Sequence, residues 1–161
     1  MLLACVLACA VKATAADEAK SRNDWLRVVE AAKKEGQVTV YISGYEAVLP
    51  FFEKEFPEIK VTAVTARGNQ LGQRLLSERR AEKYLADVVS SGANPNYQAF
   101  YAAIALTPIQ PALILPEVVD QTKWYLKKHQ YSDPESQYVF NYVGSATYGA
   151  VNYNSKLVDV K

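Results

Sequence analysis

Between Gly36 and Gly92 the apolar positions switch repeatedly between a period of two and a helical period. Gln37-Val-Thr-Val-Tyr-Ile-Ser43 is a short β-branched and aromatic run that Ser43-Gly44 breaks. Val48, Leu49, Phe52 and Phe56 then recur at helical spacing until Pro57 closes the segment. Lys60-Val-Thr-Ala-Val-Thr65 predicts a second strand, with Arg67-Gly68-Asn69 as its turn. Leu71, Leu75 and Leu76 share one face of a second amphipathic helix, and Asp87-Val88-Val89 predicts a third strand running into Ser90-Ser91-Gly92. Strands alternating with helices predict a parallel sheet with right-handed crossovers. Such sheets bind ligands beyond the carboxyl ends of their strands, where turn amides and helix N-termini face outward. All three turns fall at that edge, so the pattern points to a protein that holds something.

The flanks are less regular. Ser21 to Gly36 predicts an N-terminal helix capped by Asn23 or Asp24, with Trp25, Val28, Val29 and Ala32 buried and Gly36 as the left-handed stop. Asn94-Pro95 opens a further helix with Phe100, Ala103 and Ile104 as core candidates. Prolines interrupt Leu106 to Pro116, an irregular bridge with room for one short strand. Trp124-Tyr125-Leu126 reads as a short strand or a helical turn, and Asp133-Pro134 as a turn. Tyr138 to Val143 and Ala150 to Tyr153 predict strands, with Gly144 and Gly149 bracketing a kink.

Composition adds one change of material at the start. Half of the 161 residues are hydrophobic and 22% are charged, which fits a globular chain. Leu2 to Val11 is an apolar run closed by Ala13-Thr14-Ala15, the small-x-small pattern of a signal-peptidase site. The run is shorter than the ~20 apolar residues a bilayer span requires. Residues 1–15 therefore predict a secretory signal cleaved before Ala16, no membrane insertion after cleavage, and a periplasmic or extracellular location. A start codon placed too far downstream would account for the missing basic n-region. A disordered apolar N-terminus is the plainer alternative. A lipoprotein box at Leu2-Leu3-Ala4-Cys5 or Val6-Leu7-Ala8-Cys9 is a motif of low specificity. Both cysteines lie in this segment, so a mature chain would have neither disulfide nor thiolate chemistry. Lys12 is the only charged residue before Ala16, and the remainder carries 17 charges of each sign. That balance lacks the basic excess of a nucleic-acid or membrane-surface protein.

The residues do not spell out an enzyme. His129, the single histidine, has no metal-ligand spacing around it and reads as a solvated surface residue. No G-x-S-x-G elbow, G-x-G-x-x-G or P-loop follows any strand, and Gly68-Asn-Gln-Leu-Gly72 has the wrong spacing for a dinucleotide turn. Arg79-Arg80 with Glu78 and Glu82 reads as a solvated face, and Glu53, Glu55 and Glu58 as solubilising. Eleven tyrosines are many, and Tyr45, Tyr97, Tyr138, Tyr142 and Tyr148 lie in or near predicted turns and strands. Phenols at a cleft stack on ligands, donate hydrogen bonds or bind a hard cation; on half-buried strands they simply pack. Tyr45, directly after Ser43-Gly44 with Glu46 beside it, is the tyrosine best placed for a ligand.

Several runs, in order, resemble a known group. Trp25-x2-Val28-Val29-x-Ala31-Ala32-Lys33-Lys34-Glu35-Gly36-x-Val38-x-Val40-Tyr41 is similar to the opening of bacterial extracellular solute-binding proteins of the ferric-iron-binding type. Phe52-Glu53-Lys54-x-Phe56-Pro57-x-Ile59-Lys60-Val61 resembles the next element of that group, and Arg67-Gly68-x-Gln70-Leu71-x-Gln73-Arg74-Leu75-x-Ser77-Glu78-Arg79 with Lys83-Tyr84-x-Ala86-Asp87-Val88 continues it. Tyr148-Gly149-Ala150-Val151-x-Tyr153-Asn154 is similar to the crossover strand entering the second lobe.

The resemblance implies an α/β parallel-sheet lobe of a periplasmic binding protein, type II-like, occupying residues 16–110. Residues 111–161 become an irregular bridge and crossing strands leading toward a second lobe that is largely missing. It implies a small-molecule or metal-ion ligand delivered to an ABC-type membrane permease, with iron or a small anionic solute as cargo and no cofactor; ferric iron would be transported, not resident. The site residues it implies are Ser43, Gly44, Tyr45 and Glu46 after the first strand, Arg67 and Gly68 after the second, and Ser90, Ser91 and Gly92 after the third. Arg67 would grip a carboxylate or phosphonate oxygen bidentately. Group members are about twice as long, so a truncated gene product with a half-site and weak affinity is expected. An extracytoplasmic enzyme using Arg67, Glu46 and Tyr45, and a ligand-presenting sensor module, are the alternatives.

Overall fold

The computed structural model describes residues 3–142, and the side chains of residues 19–142. The predicted strand at Ala150 to Tyr153, together with Val143, Gly144, Tyr148 and Gly149, lies outside the described residues. The chain opens with one helix, α1 (Leu3–Glu35). The expected start at Ser21 with an Asn23 or Asp24 cap is corrected: neither Gly nor Pro occurs before Gly36 to break the helix, and Asp24 instead pairs with Arg27 at 2.9 Å. The stop is as expected, for Gly36 has φ +70° and its N–H donates to the Ala32 carbonyl at 2.9 Å. The buried face is narrower than expected, because Val28 is exposed while Trp25, Val29 and Ala32 are half-buried. Lys33 reaches Glu58 at 3.1 Å and Arg22 reaches Glu117 at 2.6 Å, so Glu58 does more than solubilise. Among the described residues no helix is long and apolar enough to cross a membrane.

The α/β block follows the predicted alternation: β1 (Gln37–Ile42), α2 (Leu49–Glu55), β2 (Lys60–Thr65), α3 (Gly68–Arg80) and β3 (Val88–Ser90). The three strands form one parallel sheet of order β2-β1-β3. Gln37 pairs with Lys60 and Ile42 with Thr65 on one side, and Ile42 pairs with Ser90 on the other, so all three strands end at one level. Central β1 is the buried strand, with Val40, Tyr41 and Ile42 enclosed. Tyr41 joins Leu71, Leu75 and Phe100 in the core, packed against Val64, Leu76 and Val89.

Two glycines let α3 approach the segment after β3. A Cβ on Gly68 would stand 3.0 Å from the Pro95 ring, and one on Gly72 would stand 3.1 Å from Ala99. Gly68 and Gly72 are four apart, as are Pro95 and Ala99, so one turn of each backbone faces one turn of the other. The segment itself comprises α4 (Ala93–Pro95) and a π-helical stretch, Asn96–Tyr101, with an i→i+5 bond from the Ala102 N–H to the Tyr97 carbonyl at 3.2 Å. The wide turn puts Phe100 wholly inside. It also overturns two core assignments: Ala103 and Ile104 are exposed, because the helix ends at Tyr101 and Ile104, at φ +52°, swings outward.

Residues 102–142 are mostly turns, among them α5 (Pro116–Val119), with a two-stranded antiparallel ribbon of β4 (Gln130–Tyr131) and β5 (Phe140–Asn141). The strand expected from Tyr138 to Val143 is thus reduced, within its described part, to Phe140 and Asn141. Trp124-Tyr125-Leu126 resolves to a 3₁₀ turn at Tyr125–Lys127. The anchor of this region is Asp133, 4% exposed, whose carboxylate accepts from the N–H groups of Gln137 (2.8 Å), Tyr138 (3.1 Å) and Val139 (2.6 Å).

Candidate functional site

The carboxyl edge of the sheet gathers the three turns. The Ser43 N–H donates to the Ser90 carbonyl at 2.9 Å, tying the first turn to the third. A Cβ on Gly68 would lie 3.6 Å from that of Ser91, so the second turn also abuts the third. The nine expected residues are therefore neighbours along one edge.

Their polar groups are partly committed to one another. Gly44, at φ +86°, presents its N–H to Glu46 Oε1 at 3.0 Å. The N–H groups of Glu46 itself and of Gly44 hold that carboxyl below its ordinary value. The first turn therefore offers an incoming anion a negative charge instead of a free amide. Arg67 stands at the N-cap of α3, its N–H donating to Gln70 Oε1 at 3.2 Å, and its side chain makes no ion pair among the described residues. Behind it, the N–H groups of Gly68 and Asn69 open the helix and have no carbonyl one turn back to receive them. Ser91 turns inward, donating to Asn96 Oδ1 at 2.6 Å, so its hydroxyl fixes the third turn. The Arg67-Gly68-Asn69 turn is tighter than expected: Gly68 and Asn69 already belong to α3.

One residue of this edge was not among the site residues inferred from sequence. Tyr142, just past β5, puts its hydroxyl 2.6 Å from Ser90 Oγ and its ring edge-on to Tyr45 at 5.1 Å. Tyr45 and Tyr142 are 36% and 44% exposed, leaving both rings free to cover a ligand. The sequence marked Tyr142 only as one tyrosine among several, since the pairing spans about a third of the chain and no local pattern announces it.

His129 corrects the reading of a solvated surface histidine. Its ring is half-buried, edge-to-face with Trp124 (5.1 Å) and Phe140 (5.3 Å), and Nε2 lies 2.7 Å from the Val118 carbonyl. A carbonyl only accepts, so Nε2 carries the proton. Glu78 is likewise no solvated charge: half-buried, it accepts the Tyr41 hydroxyl at 2.7 Å and Arg74 Nε at 2.7 Å. Cavities of about 550 and 450 Å³ are lined by residues within 101–138 and by none of the nine sheet-edge residues. No group of three His, Cys, Asp or Glu side chains is placed for a metal ion among the described residues.

The fold is mixed α/β with a three-stranded parallel sheet, and its candidate site is a crescent of turns at the carboxyl edge of that sheet. No protein-family model matches the chain, and no curated protein matches it either.

Proposed function

We propose that this protein is the extracytoplasmic solute-binding component of an ABC-type import system, built on a type II-like binding-protein lobe. The observation that carries the reading is the convergence of three strand-end turns on one edge, joined through Ser43–Ser90 and Gly68–Ser91 and flanked by Tyr45 and Tyr142. An open parallel sheet holds a solute there without chemistry, since turn amides, short hydroxyls and ring faces bind but do not activate. Arg67 and the start of α3 favour an anionic group on the solute. Glu46 sets the orientation, repelling that group from the first turn and directing it toward the second and third. A second wall closing by hinge motion completes sites of this design, so the open edge by itself binds weakly.

The test is an amide NMR titration of the full chain with methylphosphonate and, separately, with a ferric chelate. Expected is a millimolar-range constant with shifts confined to residues 43–46, 67–72, 90–92 and 142, a binding energy of about −4 kcal/mol. Arg67→Ser should weaken the phosphonate about tenfold. Shifts that fall elsewhere, or none at all with either probe, would overturn the assignment of the edge. A sub-micromolar constant would overturn the expectation that the open edge binds weakly.

A further inference from the structure

We propose that the cavity walled by Tyr101, Tyr138 and Pro108 is a second binding site, taking an organic monocation whose ammonium group sits between the phenol rings and the Glu135 carboxylate. Its volume of about 550 Å³ suits a small molecule. The rings form a row: Tyr97 stacks on Tyr101 at 5.1 Å and 13°, and Tyr101 meets Tyr138 at 5.8 Å. Glu135 lines the same cavity and accepts the Tyr101 hydroxyl on Oε2 at 2.5 Å. That acceptor, with burial second, pushes the Tyr101 phenol up to about 12.

The charge balance selects the ligand. Glu135 makes no ion pair among the described residues, and Asp133 stands two positions before it in the same loop. The nearby cation, Arg79, is engaged elsewhere: its guanidinium reaches the Ile104 and Ala105 carbonyls at 3.5 and 3.4 Å and lies over the Tyr84 ring. Among the described residues no Lys or Arg lines the cavity. Glu135 is exposed, so a neutral apolar guest would leave its carboxylate to water and gain nothing from it, while an anion would be repelled. A cation satisfies the carboxylate and the ring faces together.

The walls are also held in place. Three backbone N–H groups on the Asp133 carboxylate lock the loop that carries Glu135, and Gln110 Nε2 ties the Ser136 carbonyl at 2.9 Å. Ile104, which also lines the cavity, is 85% exposed and, although β-branched, adopts φ +52°, a conformation that costs free energy.

The experiment compares choline with its uncharged carbon isostere, 3,3-dimethylbutan-1-ol, by amide NMR titration of the full chain. Choline should shift residues 101, 135 and 138 with a constant in the ~1 mM range, and the isostere should bind at least about tenfold more weakly. Glu135→Gln should weaken choline about tenfold with an unchanged thermal midpoint, while Tyr101→Phe, which keeps the ring, should stay within about threefold. Equal binding of the two probes, or choline affinity unmoved by Glu135→Gln, would overturn the site. Shifts at the sheet edge, or none, would overturn it too. The probes and residues differ from those at the sheet edge, so either assignment can fail while the other stands.

Discussion

Residues 36–101 and residues 102–142 are held by different forces. In the first stretch Tyr41, Ile42, Leu71, Leu75 and Phe100 are buried around a three-stranded parallel ladder. In the second the buried positions are Val139 and Asp133, and between the short turns aromatic rings meet edge-on: Trp124, His129, Tyr131 and Phe140. Where apolar residues recur with a clear period, burial places the backbone and leaves polar groups free at its edge. Where the period is lost, a polar side chain must place the backbone itself. The sheet edge belongs to the first kind and the Glu135 cavity to the second.

The strongest way to break this contrast is Phe100→Ala. Phe100 is 0% exposed and stands on the π-helical stretch against Tyr41, Leu71 and Leu75. The expected loss is about 3–5 kcal/mol in urea unfolding, transfer and cavity effects together. A loss under about 1 kcal/mol would mean the core does not centre there, and the contrast would fail.

Asp133→Asn tests the second region, with a smaller expected loss of about 2 kcal/mol. Hydrogen-exchange protection should fall at residues 137–139 while residues of α3 keep theirs. Burial on its own would raise the Asp133 carboxyl, but the N–H groups of Gln137, Val139 and Tyr138 outweigh it and hold the group below its ordinary 3.8. The folded value is the lower one, so ionised Asp133 stabilises the fold above the unfolded value, and that contribution fades as pH falls from about 4 through the folded value. The Asp133→Asn variant should lack this acid dependence. Wild-type protection at residues 137–139 that is flat from about pH 5 to below about pH 3 would show that Asp133 is not the anchor.

The same contrast explains what could be read in advance. β1, β2, β3 and the Leu71–Leu75 face of α3 were legible because strand and helix periods are local. The site turns were legible because they follow from where strands end. Ala103 and Ile104 were not, since a π-helical turn shifts the phase of the apolar pattern without any residue announcing it. The helix start at Asn23 or Asp24 failed because a capping residue marks a terminus only when something stops the helix before it. Gly68 and Gly72, too widely spaced for a dinucleotide turn, have a packing role against Pro95 and Ala99 that needs the partner segment to be seen. Asp133 and Glu135 read as an ordinary turn, because neither the hydrogen bonds of the first nor the cavity around the second is encoded locally.

Tyr142 is the described side chain that joins the two regions at the site, and Tyr142→Phe is the smallest change that sharpens the comparison. It keeps the ring against Tyr45 and removes only the hydroxyl 2.6 Å from Ser90. At 44% exposure water replaces much of that bond, so stability should stay within about 0.5 kcal/mol of wild type. A double-mutant cycle with Ser90→Ala isolates the pair, and its coupling energy should be of the same size. Phosphonate binding should nevertheless weaken about threefold, since the hydroxyl that Ser90 holds in place is available to a solute. If Tyr142→Phe instead costs more than about 1.5 kcal/mol, the hydroxyl bond is a structural strut. The two regions would then unfold as one unit, and the polar anchoring at Asp133 would be continuous with the apolar core.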